Sequence, residues 1–67
     1  MPKKIRELKK LLKKAGFSVR PGKGSHTVWQ HPRRDKPVVL SGKGGRDAKP
    51  YQEKDVEEAL RDVGAQP

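Results

Sequence analysis

The apolar residues of this chain fall into five short clusters, and turns rich in glycine or proline separate most of them. Two clusters have helical spacing, and three have the length of single strands. Only 30% of the 67 residues are apolar and 37% are charged, which is close to the composition of a disordered chain. The periodic placement is therefore the evidence for folding, and we expect residues 1–67 to form a single domain with a small core.

Two of the clusters predict helices, one near each end of the chain. The first predicts a lysine-rich amphipathic helix over residues 3–14 that ends at Gly16. In the second, Asp55 is the expected N-cap, Glu58 its capping-box partner and Gly64 the residue that ends the helix. The apolar positions at helical spacing are Ile5, Leu8, Leu12 and Ala15 in the first helix, and Val56, Ala59, Leu60 and Val63 in the second.

The three clusters between the helices predict short strands over residues 17–20, 27–30 and 38–41. Residues 33–37 are predicted to be a hairpin loop, and residues 42–45 a flexible connection. This order predicts an α+β fold, α-β-β-β-α, in which both helices cover one face of a three-stranded antiparallel sheet. The expected core residues are Ile5, Leu8, Leu12, Phe17, Val19, Val28, Val38, Leu40, Val56, Leu60 and Val63.

The net charge is +9, and the excess of positive charge lies in the first half of the chain. Residues 1–34 contain eleven lysines and arginines and one acidic residue, whereas residues 35–67 contain six basic and seven acidic residues. Such a surface attracts polyanions, and nucleic acid is the usual polyanion for a small cytosolic protein. An acidic membrane surface is a second alternative.

The residue types present also bound the cofactors and the location. The chain has no cysteine, and His26 and His31 lack the thiol or paired carboxylate neighbours of a metal site. We therefore expect no disulfide, no metal and no other cofactor. Because no apolar run approaches the roughly 20 residues of a membrane span, we expect a cytoplasmic protein without a membrane partner. The sequence leaves the oligomeric state open.

The segment Gly24-Ser25-His26 places a histidine at a glycine-rich turn where a strand begins. Imidazole titrates near neutral pH, so it can act as a base or as an acid in a cell. A histidine taken alone is more often an ordinary surface residue, and this candidate depends on its place in a basic α-β-β-β-α chain. Trp29 alternates with Val28, which predicts an indole on the uncovered face of the sheet. There it would stack on a base, cover the edge of the core or contact a partner.

The chain resembles the HicA toxin family of type II toxin–antitoxin systems. The resemblance rests on residues 13–17 (Lys-Lys-Ala-Gly-Phe), 24–26 (Gly-Ser-His) and 31–32 (His-Pro), followed by a short strand, a glycine-containing loop and a terminal helix. It implies a fold like that of a double-stranded-RNA-binding domain, and an mRNA interferase activity that a HicB antitoxin inhibits. It also implies that His26 is the catalytic histidine. Thr27 stands where many members have a second histidine.

These features favour a metal-independent endoribonuclease. In this hypothesis His26 takes the proton from a ribose 2′-OH, and the acid that protonates the leaving 5′-oxygen is the same residue acting through water, His31 or a lysine. His31 can instead cap a turn. The residues expected to bind RNA are Lys23, Arg20, Arg33, Arg34, Lys10, Lys13, Lys14 and Trp29. Two alternatives stay open: a non-catalytic RNA-binding module, and a subunit whose basic surface mainly docks on an acidic antitoxin.

Overall fold

The computed structural model describes residues 3–65, which form two helices and one three-stranded sheet. The elements are α1 (Ile5–Lys14), β1 (Ser18–Pro21), β2 (Thr27–His31), β3 (Arg34–Leu40) and α2 (Pro50–Asp62). The strands pair antiparallel in the order β1-β2-β3. The predicted α-β-β-β-α order and the antiparallel sheet are therefore confirmed. Within the described residues, neither helix has the length and apolar character that crossing a bilayer requires.

Both helices pack on one face of the sheet and form a single core with it. Trp29 and Val38 are a register pair on this covered face, whereas Val28 and Val39 are a pair on the uncovered face. Most of the predicted core is buried: Ile5, Leu8, Leu12, Phe17, Val38, Leu40, Val56, Leu60 and Val63. Ala48, Ala59 and Gln52 are buried as well, although the periodic pattern did not include them.

Three strand residues lie differently from what the sequence predicted. Trp29 is only 3% exposed, so the prediction that it lies on the uncovered face is wrong. Val28 is half-buried on that face instead. Val19 lies across from Trp29, yet it stays 48% exposed because β1 is an edge strand. The cause is the phase of the alternation in β2, in which Thr27 and Trp29 face the helices.

Both helices end at the predicted glycines. At the end of α1, Gly16 has a φ of 95° and its N–H donates to the Lys13 carbonyl, while the Phe17 N–H donates to the Leu12 carbonyl. This pair of hydrogen bonds satisfies carbonyls that the helix leaves without partners, and the positive φ favours glycine. Gly64 has a φ of 77° and closes α2 in the same way.

Helix α2 begins earlier than predicted. Its first residue is Pro50 and its N-cap is Lys49, so the assignment of Asp55 as N-cap with Glu58 as its partner is wrong. Proline suits the first helical position, because its fixed φ is helical and its missing N–H would have no partner there. The Gln52 side chain accepts the Lys49 N–H at 2.9 Å, which supplies a cap from within the first turn.

Strand β3 is longer than predicted, and the expected hairpin loop at 33–37 is wrong for most of its length. The strand begins at Arg34, which pairs with His31, and ends at Leu40. A register shift separates that pair from the next pairs of β2 and β3. Pro37 is tolerated here because β3 is the other edge strand, where a missing N–H costs little.

Candidate active site around His26

His26 lies at the end of the turn between β1 and β2, and it is exposed. Its N–H donates to the Lys23 carbonyl at 3.0 Å, and the Gly22 N–H donates to the His26 carbonyl at 2.8 Å. Gly24 has a φ of 59°, a conformation that glycine adopts without strain, so this turn requires its glycine. The backbone of His26 is therefore fixed on both sides while its side chain faces solvent.

Gly22 and Arg20 border His26 on the neighbouring strand. A Cβ at Gly22 would lie 3.3 Å from the His26 Cβ, so the glycine keeps the base of the imidazole side chain uncrowded. Arg20 pairs with Val28, which makes it a diagonal neighbour of His26 at about 7–8 Å between Cα atoms. Its exposed guanidinium can therefore reach an anion that lies against His26.

Ser25 ties this turn to the segment between β3 and α2. The Gly42 N–H donates to the Ser25 Oγ at 3.2 Å. Further along, the Arg46 carbonyl accepts the Ile5 N–H at 2.8 Å, and the Gly44 carbonyl accepts the next amide of α1 at 3.0 Å. Residues 42–47 are called here the anchored loop. Residues 42–45 of this loop were predicted to be a flexible connection. Their hydrogen bonds instead fix them to the start of α1 and to the histidine turn.

The anchored loop brings two further cations, Lys43 and Arg46, to the end of the sheet where His26 lies. Neither residue was predicted to belong to the site, because both stand far from His26 in the chain. The available signal was that each is a basic residue in or beside a glycine-rich segment that follows the third strand. Both helices also begin at this end, so the positive ends of their dipoles add to the attraction of anions.

His31 lies at the opposite end of β2, and the two histidines do not form a pair. They are five positions apart along an extended segment, which is a separation on the order of 16 Å. The His31 Nδ1 accepts the Arg33 N–H at 3.0 Å, and its ring lies 5.0 Å from the ring of Phe17. His31 therefore caps the β2–β3 turn, which is one of the two roles considered for it.

Several predicted RNA-binding residues lie toward the His31 end of the molecule. Arg34 is half-buried, and its Nε donates to Asp62 Oδ2 at 3.0 Å while its Nη1 donates to the Lys36 carbonyl at 2.6 Å. Its guanidinium is thus engaged within the protein. The exposed members of this set are Arg33 at the β2–β3 turn and Lys10, Lys13 and Lys14 in the second half of α1. Of the predicted RNA-binding cations, the structure therefore places Arg20 and Lys23 near His26 and the others farther away.

Trp29 and Thr27 both belong to the covered face of the sheet. The Trp29 Nε1 donates to the Thr27 Oγ1 at 3.0 Å, and that hydroxyl donates to the Leu40 carbonyl at 3.3 Å. A buried indole offers no ring face to a base, so the prediction that Trp29 stacks on RNA is wrong. Thr27 lies on the covered face and bonds within the fold. Its presence in place of a second histidine therefore removes no side chain from the exposed turn.

The groups near His26 define the chemistry that this end of the molecule can perform. The imidazole can accept or donate a proton, and the guanidinium and ammonium groups of Arg20 and Lys23 can bind an anion. Among residues 3–65, no group of three or more His, Cys, Asp or Glu side chains is placed to hold a metal ion. The arrangement suits proton transfer beside a bound anion.

Comparison with known protein families assigns the chain to one of them. Residues 5–65, which include all five elements, match the family profile for the HicA toxin of bacterial toxin–antitoxin systems. The chain therefore belongs to the HicA toxin family, as its motifs predicted. The family consists of toxins, so an antitoxin is the partner that membership implies. Neither a search of curated proteins nor a search of solved structures found a significant match.

Proposed function

We propose that this protein is a metal-independent endoribonuclease that cuts mRNA with His26 as its base. The observation that carries the proposal is the setting of His26, an exposed imidazole on a backbone fixed by two hydrogen bonds at a basic end of the sheet. Membership of a toxin family fits an activity directed against the RNA of the cell. Such a substrate would be met in the cytoplasm.

The proposed reaction is an internal transfer at phosphorus. His26 takes the proton of a ribose 2′-OH, and the 2′-oxygen forms a bond to the phosphorus of the adjoining phosphodiester. The bond from phosphorus to the 5′-oxygen then breaks, and an acid protonates that oxygen. The products are a 2′,3′-cyclic phosphate and a 5′-hydroxyl. Acid–base catalysis of this kind typically contributes about 100-fold to 10,000-fold to the rate.

Arg20 and Lys23 are the cations proposed to hold the phosphodiester. The planar guanidinium of Arg20 matches two phosphate oxygens, and the ammonium of Lys23 acts as a point charge. Both would offset the negative charge that grows on the phosphate in the transition state. The acid is then Lys23 or His26 itself acting through water. His31 is too distant for this role.

A HicB-like antitoxin with an acidic surface would inhibit the enzyme by covering His26. The net charge of +9 speeds the approach of an acidic partner, as it does that of RNA. The two partners would compete for the same basic surface. The complex of toxin and antitoxin is therefore expected to leave RNA uncut.

The test is to incubate the purified protein with an end-labelled mRNA fragment in EDTA and to analyse the ends of the products. We expect cleavage that leaves 2′,3′-cyclic phosphate and 5′-hydroxyl ends, and no cleavage of DNA of the same sequence. Products with 5′-phosphate ends, cleavage of the DNA or a requirement for a divalent metal would contradict the proposal. RNA that is bound but never cut would instead favour the non-catalytic RNA-binding module.

A further inference from the structure

A cleft of about 200 Å³ lies directly beside the histidine turn. It is partly open to solvent and is lined by that turn, by the anchored loop and by the start of α2, and its polar lining includes Ser25, Ser41, Arg46, Lys49 and Gln52. Since a water molecule occupies about 30 Å³, the cleft has room for roughly seven waters. That is the scale of a single nucleobase and is too small for two.

The two serine hydroxyls of the cleft are oriented by bonds within the protein. The Ser25 Oγ accepts the Gly42 N–H at 3.2 Å, and the Ser41 Oγ lies 3.5 Å from the Nε2 of Gln52. Gln52 is 3% exposed, and the same nitrogen donates to the Ser41 carbonyl at 3.1 Å. Because each hydroxyl oxygen faces an internal donor, its own hydrogen is left to donate to a ligand.

The charge of the cleft favours an anionic ligand. Asp47 is the acidic residue in its lining, and Lys4 Nζ donates to the Asp47 carboxylate at 2.5 Å. The Arg46 side chain lies along Gly42, with its Cδ 3.8 Å from the place where a Cβ of Gly42 would be. Among residues 3–65, the ion pairs within 4.0 Å involve Lys4 and Arg34 and leave the guanidinium of Arg46 without a carboxylate partner.

We propose that this cleft binds one nucleotide of the RNA substrate, next to the phosphodiester that is cut, and that Arg46 binds the phosphate of that nucleotide. The hydroxyls of Ser25 and Ser41 would donate to its base. Ser25 directly precedes His26, at a Cα distance of about 3.8 Å, so a nucleotide in the cleft is an immediate neighbour of the scissile bond. This inference rests on the proposed ribonuclease function.

The test uses DNA oligonucleotides that contain one ribonucleotide at the position cut in the mRNA fragment, so that only one bond can react. In one further substrate the ribonucleotide lacks its base but keeps its 2′-OH, and in a second an abasic residue replaces the nucleotide on its 3′ side, so that both nucleotides flanking the scissile bond are tested. We expect one of the two abasic substrates to lower kcat/KM of the wild type by about tenfold or more. We expect Arg46→Ala to lower kcat/KM on the intact substrate to a similar degree.

The decisive measurement combines the two changes. If Arg46 and the base occupy one cleft, the two losses of kcat/KM are coupled. In the Arg46→Ala variant, replacing the intact substrate by the abasic one should then lower kcat/KM by less than about threefold. Arg61→Ala is the matched control, because it removes the same charge from an exposed position at the far end of α2. The proposal is overturned if neither abasic substrate reacts more slowly, or if Arg61→Ala loses as much activity as Arg46→Ala.

Failure of the cleft and failure of the ribonuclease function can be told apart. If the wild type cuts no RNA, the ribonuclease proposal fails, and equilibrium binding of the same oligonucleotides still tests the cleft. In that case Arg46→Ala must weaken binding of the intact oligonucleotide more than Arg61→Ala does. If the wild type cuts RNA and the abasic substrates react normally, only the cleft is rejected.

Discussion

His26 and His31 show how the surroundings of a residue separate two roles that its type leaves open. The His31 ring packs near Phe17, and its Nδ1 accepts a backbone N–H at 3.0 Å, so the side chain is used within the fold. The backbone of His26 makes two of the bonds that hold its turn, and its side chain is exposed. A glycine-rich turn leaves its last residue at the surface, which accounts for the exposure of His26.

Trp29 shows what a local pattern cannot decide. Alternation predicts that Val28 and Trp29 lie on opposite faces of β2, and they do. It does not say which face the helices cover, and in this strand both candidates for the core are apolar. The indole buries more surface than the valine, and its N–H finds a partner in Thr27, so the structure with Trp29 inside is favoured.

The burial of Trp29 predicts a large effect on stability. Trp29→Ala should lower the free energy of unfolding by about 3–5 kcal/mol, because it removes a buried aromatic side chain and leaves a cavity. Val39→Ala is the control on the uncovered face, where the side chain is 49% exposed, and it should cost less than about 1 kcal/mol. Urea denaturation followed by circular dichroism measures both. Equal, small losses for the two variants would place the indole outside the core.

At the scale of elements, the anchored loop is the part of the site that the sequence could least reveal. Glycine and polar residues predict a connection, but the bonds that fix it come from α1 and from the histidine turn, which are distant in the chain. Gly42 reaches Ser25 through a backbone amide, and Arg46 reaches Ile5 through a carbonyl. The loop makes these bonds with its backbone groups, so its own side chains leave little trace of them in a pattern of residue types.

The start of α2 was mispredicted for a related reason. Asp55 and Glu58 have the spacing of a capping box, but both residues lie inside the helix, which begins at Pro50. Pro50 and Gln52 were the competing signals: proline suits the first helical position, and glutamine at the third can accept the N–H of the N-cap. The helix start is stabilised by Gln52, whose side chain is 3% exposed and whose amide oxygen and nitrogen both form hydrogen bonds.

The position at which α2 starts predicts a large effect on stability for one polar substitution and a small effect for another. Gln52→Ala should lower the free energy of unfolding by about 1–3 kcal/mol, because it removes the hydrogen bonds that the buried amide makes to Lys49 and Ser41. Asp55→Ala, at an exposed position inside the helix, should change it by less than about 0.5 kcal/mol. Thermal unfolding of the two variants checks this. A loss of about 1 kcal/mol for Asp55→Ala with none for Gln52→Ala would instead support a helix that begins at Asp55.

At the scale of the whole molecule, positive and negative charge are separated between the two helices that cover the sheet. Helix α1 has five basic side chains and one acidic one, whereas α2 has five acidic and two basic. The basic half found in the sequence is therefore a basic part of the folded surface. A polyanion is expected to approach by α1 and the histidine turn and to avoid α2.

This distribution predicts the salt dependence of RNA binding. For His26→Ala, which is expected to bind without cutting, affinity should fall steeply with salt, and each lost phosphate contact should reduce the slope by about 0.7 on a single strand. Arg20→Ala in that background should show such a reduction, whereas Arg61→Ala on α2 should not. Fluorescence anisotropy over a series of salt concentrations measures the slopes. An affinity that hardly responds to salt would contradict the electrostatic account.

The sequence predicted the order of elements, the antiparallel pairing of the strands, the C-terminal end of each helix and nine of the core residues. These depend on local signals, namely periodicity and glycine, that act within a few residues. It did not predict the face of Trp29, the beginning of α2 or the cations of the anchored loop. Each of these depends on contacts between elements that are distant in the chain. In so small a core, only a few contacts decide how those elements pack.

The most direct test of the central claim is the rate of RNA cleavage by His26→Ala in EDTA, with RNA affinity measured in parallel. We expect the rate to fall by about 100-fold to 10,000-fold while affinity is largely retained, because the change removes a proton acceptor and no cation. His31→Asn is the matched control, since its side-chain oxygen can still accept the Arg33 N–H, and it should cut normally. Cleavage by His26→Ala at the wild-type rate would contradict the account.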